Sequence, residues 1–132
     1  MYQLTAIFNR NCLEDVLQEL FERKLEGVTV SSVIGKGGLG FIEEGGNVDL
    51  DEKVRIDIVL SSEGYKESAK EAIRSNTQDT GHGAGKMWVT PVLEVERIRT
   101  GETDEAALAQ SNAMNKKPLH DNYYTAADTP AS

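Results

Sequence analysis

The stretches of this sequence that could do chemistry all point to holding an anion. The first is Gly35-Lys-Gly-Gly-Leu-Gly40, which satisfies the spacing of a dinucleotide turn. A dinucleotide turn must open directly into a helix whose N-terminus receives the pyrophosphate, whereas here the chain runs on into Phe41-Ile-Glu-Glu-Gly-Gly-Asn47 without a helical pattern. The second is Thr80-Gly-His-Gly-Ala-Gly-Lys86, where Met87 stands in place of the hydroxyl residue that a nucleoside-triphosphate loop uses to hold magnesium. What remains of it is a run of glycines whose N–H groups can line a concavity, with a lysine at the rim. The third is Arg97-Ile-Arg99, read as part of a strand, where residues two apart share a face and both guanidinium forks project together toward phosphate oxygens. Alone, the turn also reads as a plain turn and the arginines as a solvated strand end. Together they are better explained by a polyanionic ligand.

Nucleophilic and metal chemistry find no support. No Ser-His-Asp or Cys-His pattern is present, the single cysteine, Cys12, reads as a buried spectator, and His82 and His120 have no zinc-ligand spacing. The protein therefore reads as a non-enzyme without a metal. With 22 acidic against 14 basic residues and a net charge of −8, nucleic-acid binding is excluded and any anion site must be a local cationic cluster. No apolar run is long enough to span a bilayer, and the first residues alternate apolar with polar, so the expectation is a cytoplasmic protein without membrane insertion. Tyr2 and Trp88 fall at strand positions and read as packing residues rather than as base-stacking platforms.

These residues must be positioned by regular elements. Leu4, Ala6 and Phe8 alternate on a first strand over residues 2 to 8. Asn11 and Glu14 have capping-box spacing, and Leu13, Val16, Leu17, Leu20 and Phe21 predict an amphipathic helix that leaves at Gly27. Val28, Val30 and Val33 predict a second strand, residues 36–52 a long glycine-rich and acidic loop, and Val54, Ile56 and Ile58 a third strand. Tyr65, Ala69, Ala72 and Ile73 predict a second helix over residues 62 to 75, and residues 87 to 98 a final strand. The order β-α-β-β-α-β is that of an α+β, two-layer, ferredoxin-like sandwich over residues 1–108. Residues 109–132 turn to Ala, Asn, Ser, Thr and Pro without a period and read as a disordered C-terminal tail.

Over residues 1 to 108 the chain resembles the PII signal-transduction family. The resemblance is carried by Arg97-Ile-Arg-Thr-Gly-Glu102 with Thr103-Asp-Glu-Ala-Ala-Leu108, by Gly27-Val-Thr-Val30 leading to Gly35 and Gly37, by Lys53-Val-Arg-Ile-Asp-Ile-Val59, and by the Thr80 to Lys86 turn. It implies a homotrimer of ferredoxin-like subunits with adenine nucleotides (ATP, ADP or AMP) in the clefts between them and a flexible loop, 36–52, that contacts a protein target. By that resemblance Gly83, Gly85, Lys86, Arg97 and Arg99 hold phosphate, while Thr29, Gly35, Gly37, Asp57 and Val59 contact adenine or ribose. Lys53, at the base of the loop, is the expected site of a small effector anion such as bicarbonate.

Set against the family it resembles, the chain has a loop about five residues shorter than the usual pattern. It lacks the tyrosine of uridylylated members and has Leu39 where nitrogen-sensing members place the glutamine that helps hold magnesium and 2-oxoglutarate. The resemblance is thus to a divergent PII-like group tied to carbon uptake or to a metal-efflux or other membrane transporter, with a transporter or a carbon-fixation assembly as target. A CutA-like structural or metal-tolerance trimer and a small-acid-sensing enzyme subunit are the alternatives; CutA relatives lack the arginine signature.

Overall fold

A computed structural model describes residues 1–36, 50–78 and 84–108. The elements follow in the order β1 (Tyr2–Asn9), α1 (Leu13–Glu22), β2 (Thr29–Gly35), β3 (Asp51–Leu60), α2 (Glu63–Thr77) and β4 (Gly85–Pro91), with short 3-10 turns at Arg10–Cys12 and Asp104–Ala107. The strands form one sheet in the order β2-β3-β1-β4, and each neighbouring pair is antiparallel. This is the ferredoxin-like α+β arrangement that the pattern of elements predicts. β3 begins at Asp51, so Asp51 and Glu52, expected in the loop, extend the sheet instead, opposite Gly35 and Ile34.

Alternation builds the core. Leu4, Ala6 and Phe8 of β1 and Val54, Ile56, Ile58 and Leu60 of β3 turn to one face and meet Val16 and Leu20 of α1 and Ala69, Ala72 and Ile73 of α2. The two small residues of α2 let its backbone come close to that layer. Ser62 caps α2, its Oγ accepting from the Tyr65 N–H at 3.2 Å.

The ends of α1 differ from expectation. No Asn11–Glu14 capping box forms: the chain enters α1 through the 3-10 turn, Cys12 holds the N-cap position, and no side chain caps the helix there. Asn11 Oδ1 instead accepts from the buried Cys12 Sγ at 3.6 Å. Phe21, expected on the apolar face, is 65% exposed, because it sits about 100° around the helix from Leu20. The exit is not at Gly27 but at Lys24, whose φ is 65°. Lys24 N–H donates to the Phe21 carbonyl and Leu25 N–H to the Leu20 carbonyl, while Leu25 drops into the core beside Leu20. This is a Schellman ending with a lysine at the left-handed position where glycine is favoured. Glu19 and Arg23 tie this end to α2: Glu19 accepts from Asn76 Nδ2 at 2.8 Å, and Arg23 Nη1 donates to the Ser68 carbonyl at 3.1 Å.

The face of the sheet away from the helices is polar at its centre. Thr5 lies in register with Asp57 on β3 and with Trp88 on β4, and it is 2% exposed. Asp57 Oδ1 accepts from Thr5 Oγ1 at 2.7 Å, Gln3 Nε2 at 3.0 Å and Arg55 Nη2 at 3.2 Å, and Oδ2 accepts from Arg55 Nε at 3.0 Å. Arg55 in turn lies 5.9 Å from the centre of the Trp88 ring. Trp88 and Tyr2, which receives Lys66 Nζ at 4.9 Å over its ring, thus serve as packing partners of cations within this chain. The Arg55 guanidinium, with Thr5 and Gln3, holds the Asp57 carboxyl below the usual aspartate range against the opposing effect of burial.

Two outcomes are expected. Lys24→Gly should raise stability by up to about 1 kcal/mol in chemical denaturation, because a left-handed lysine carries a backbone cost that glycine does not; a loss of stability would contradict the assignment of that ending. Since the folded-state pKa of Asp57 is lowered, its stabilisation is fully present above the ordinary aspartate value, roughly 3.9, and is lost as pH falls through the lowered value. Asp57→Asn should therefore cost about 1–3 kcal/mol at pH near 7, and the gap to wild type should narrow under acid, once the pH falls through the lowered value. A gap that does not change between the two pH values would refute the charge pairing.

Candidate ligand-binding cleft

A cleft of about 400 Å³ opens where the ends of β1, β2 and β3 meet the C-terminal segment. Its walls come from Gln3, Thr29, Asp57 and Val59 on the sheet, Glu26 and Gly27 before β2, and Val95, Arg97, Ala107 and Leu108. Register explains the sheet wall: Thr29 is opposite Asp57, and Val59 is opposite Gln3, so all project from the face away from the helices. Gly27, with a φ of 84°, turns the chain from the end of α1 into β2.

The opposite wall is folded differently from the strand that the sequence predicts. β4 ends at Pro91, which has no N–H to donate, and the chain leaves the sheet after the Val92 N–H donates to the Met1 carbonyl at 3.0 Å. Residues 95 to 104 then form a small hairpin. Arg97 N–H donates to the Glu102 carbonyl at 2.8 Å, Asp104 N–H to the Val95 carbonyl at 2.8 Å, and Gly101, with a φ of 76°, closes the turn through the Arg97 carbonyl at 2.8 Å. Arg97 and Arg99 therefore do not share a strand face. Arg97 is drawn inward: Nη1 donates to Glu102 Oε1 at 2.9 Å and Nη2 to the Ala107 carbonyl at 3.1 Å. Arg99 lies in the exposed turn. Leu93 and Ile98, at 95% and 97% exposed, flank this segment and pack on nothing in the described chain.

Of the residues expected to bind a ligand, Thr29, Asp57, Val59 and Arg97 are thus brought together. Asp57, expected at a base edge, already has both carboxylate oxygens engaged by Gln3, Thr5 and Arg55, so it contributes a fixed negative wall. Gly35, Lys53, Gly85 and Lys86 lie at the other end of the strands. Lys53 is opposite Asn9, and its Nζ donates to Asn9 Oδ1 at 2.6 Å. Gly85 and Lys86 line a separate hollow of about 270 Å³ with Ile7, Phe8, Ile73 and Arg74. From Lys53 to Val59 along β3 is about 20 Å, so the two groups do not meet within one chain. Gly85 is also required by packing, for a Cβ there would fall against the Ile7 carbonyl oxygen. Gly37 and Gly83 lie outside the described residues.

Sequence reasoning did not find Gln3, Glu26, Ala107 or Leu108 as cleft walls, nor Glu102 as the partner of Arg97. Leu108 carried a signal, as the last large apolar residue before the polar tail, and it is 9% exposed. Among the described residues no cluster of histidine, cysteine, aspartate or glutamate could hold a metal ion, and no helix is long and apolar enough to cross a membrane.

Comparison with known proteins gives this arrangement its context. The family model for nitrogen regulatory protein P-II matches residues 1–102. A nitrogen regulatory protein P-II 1 from Methanothermobacter thermautotrophicus is 41% identical over 113 residues, covering 82% of this chain and 97% of the relative. A nitrogen regulatory protein P-II from Mesorhizobium japonicum is 39% identical over 108 residues, covering 78% and 96%. One from Klebsiella oxytoca is 38% identical over 114 residues, covering 82% and 100%. On the family match and on these identities over nearly the whole length of each relative, the chain belongs to the PII family of signal-transduction proteins, which are regulators and not enzymes.

Proposed function

We propose that the protein senses adenine nucleotides at clefts between the subunits of a homotrimer and signals the bound state to a protein target through the loop 36–52. The single observation that carries this reading is the separation of the expected ligand residues to opposite ends of one sheet. Thr29, Val59 and Arg97 line a cleft at one end, while Gly35, Gly85 and Lys86 lie at the other. A second copy whose Lys86 end meets the first copy's Arg97 end brings the two separated groups of expected ligand residues to one ligand, which a lone chain does not.

Exposed apolar residues support the association. Val30 and Ile34 on the edge strand β2, and Leu93 and Ile98 beyond β4, offer surface and an open strand edge that a neighbour can cover. The number three comes from the family, as does the choice of ATP, ADP or AMP. Glycine near the ligand allows close backbone approach, and the lysine and arginine forks suit phosphate oxygens.

Lys53, held by Asn9 beside the start of the loop, suits a small anion such as bicarbonate as co-effector. Such an anion would link the nucleotide to the loop, and only a ligand that contacts the two loop states differently can shift them. The loop's acids would then face a basic surface on a transporter or a carbon-fixation assembly, with residues 109–132 as a second contact, in the cytoplasm. Leu39 in place of an amide side chain argues against 2-oxoglutarate as the co-effector, since leucine offers no oxygen to a hard cation.

Calorimetric titration with ATP, ADP and AMP should show binding, and Lys86→Ala and Arg99→Ala should each weaken it by about 1.5–3 kcal/mol. Wild-type affinity in both variants would overturn the site, and no binding of any of the three would favour the CutA-like reading. Light scattering should return three times the 14.5 kDa chain mass, and a monomer at micromolar concentration would remove the shared cleft.

A further inference from the structure

Arg97 has two roles in this chain that compete. Its side chain is 18% exposed and lines the cleft, yet its Nη1 and Nη2 donors are already engaged within the chain, one by Glu102 Oε1 at 2.9 Å and the other by the Ala107 carbonyl at 3.1 Å. Glu102 is itself held in place. Thr100 Oγ1 donates to the same Oε1 at 3.1 Å, and the Glu102 N–H donates back to Thr100 Oγ1 at 3.2 Å. The carboxylate is therefore pre-positioned in front of the guanidinium by a backbone hairpin, and it costs little entropy to keep there.

From this we infer that Glu102 is an internal competitor for phosphate at Arg97, and so sets the affinity of the cleft. The inference rests on the reading of the cleft as the site of a phosphate-bearing ligand. A carboxylate and a phosphate present the same kind of paired oxygens to a guanidinium fork, and a phosphate seated on Nη1 shares that nitrogen with the Glu102 carboxylate already on it. Whatever phosphate gains at Arg97 is reduced by sharing the cation with this ion pair and by repulsion from the Glu102 carboxylate beside it. Where phosphate draws the guanidinium off Glu102, the Nη2 bond to the Ala107 carbonyl is weakened as well. Beyond the Asp104 N–H bond to the Val95 carbonyl at 2.8 Å, the Asp104–Ala107 turn then has its own short bonds, Ala106 N–H to the Thr103 carbonyl at 3.2 Å and Leu108 N–H to the Glu105 carbonyl at 3.1 Å. Ligand binding at Arg97 thereby loosens the wall of the cleft formed by Ala107 and Leu108.

The test uses the full chain and two probes, ADP and inorganic tripolyphosphate, the second having no base or ribose. Glu102→Gln keeps a carbonyl oxygen for Arg97 and Thr100 but removes the charge, so the hairpin is retained; Glu102→Ala serves as a second variant. Calorimetry should show the Gln variant binding the probes about two- to five-fold more tightly than wild type, the range expected for release of a half-exposed ion pair. Amide exchange at Ala106 and Leu108 should quicken when wild type takes up either probe. If both variants bind both probes no more tightly than wild type, or if those amides exchange more slowly on binding, the competition is overturned. If nucleotide binds to no form but tripolyphosphate binds more tightly to Glu102→Gln, the competition stands and the nucleotide reading fails.

Discussion

Asp57 stands in register with Thr5 on one side and Thr29 on the other, at the point where β1, β2 and β3 lie side by side. Both helices cover the opposite face, so this carboxylate faces the uncovered side of the sheet, where a polar group must find partners or water. It finds them within the chain. Gln3, Thr5 and Arg55 all donate to it, and Arg55 reaches on to Trp88 across the sheet. The orientation of Gln3, and with it part of the floor of the cleft, follows from that one anchor. Thr5 is buried on a face that carries no helix because the same side chains close over it.

Antiparallel pairing then decides which groups can cooperate. The cleft residues come from one end of the strands and the glycine and lysine group from the other, because β4 begins beside Phe8 whereas β2 begins beside Asp57. A rigid sheet cannot bend to join the two groups. A ligand that needed both would have to bridge two copies.

The C-terminal segment after β4 is less deeply buried than this frame. Its hairpin is short, held by backbone bonds and by glycine at the turn, and it contributes Val95 and Arg97 to the cleft and, through Arg97, fixes Ala107 and Leu108. Segments with few buried contacts open at low cost, and this one has only Leu108 in the buried class. The sheet thus holds the floor of the cleft, and the shallow hairpin with the Asp104–Ala107 turn holds the wall opposite.

The order of elements, the inward residues of β1 and β3 and the buried faces of both helices were legible in the sequence, since period-two and helical alternation are local patterns that burial enforces. That Lys86 and Arg97 are cations set beside glycines in an acidic chain was legible too. Helix endings were less so: the Asn11–Glu14 spacing mimics a cap that the 3-10 turn displaces, and a lysine, not a glycine, takes the left-handed position at residue 24. Apolar alternation through Leu93 and Val95 imitates a strand past Pro91, although both Leu93 and Ile98 are exposed. Arg97 and Arg99 look alike and stand two residues apart, yet a turn sends one inward and leaves the other outside. Sequence alone determines which residues are cationic and which faces are apolar, since these are properties of side chains and their spacing. Only the tertiary structure decides which cation meets which carboxylate and at which end of the sheet each lies, because those depend on the register between strands far apart in the chain.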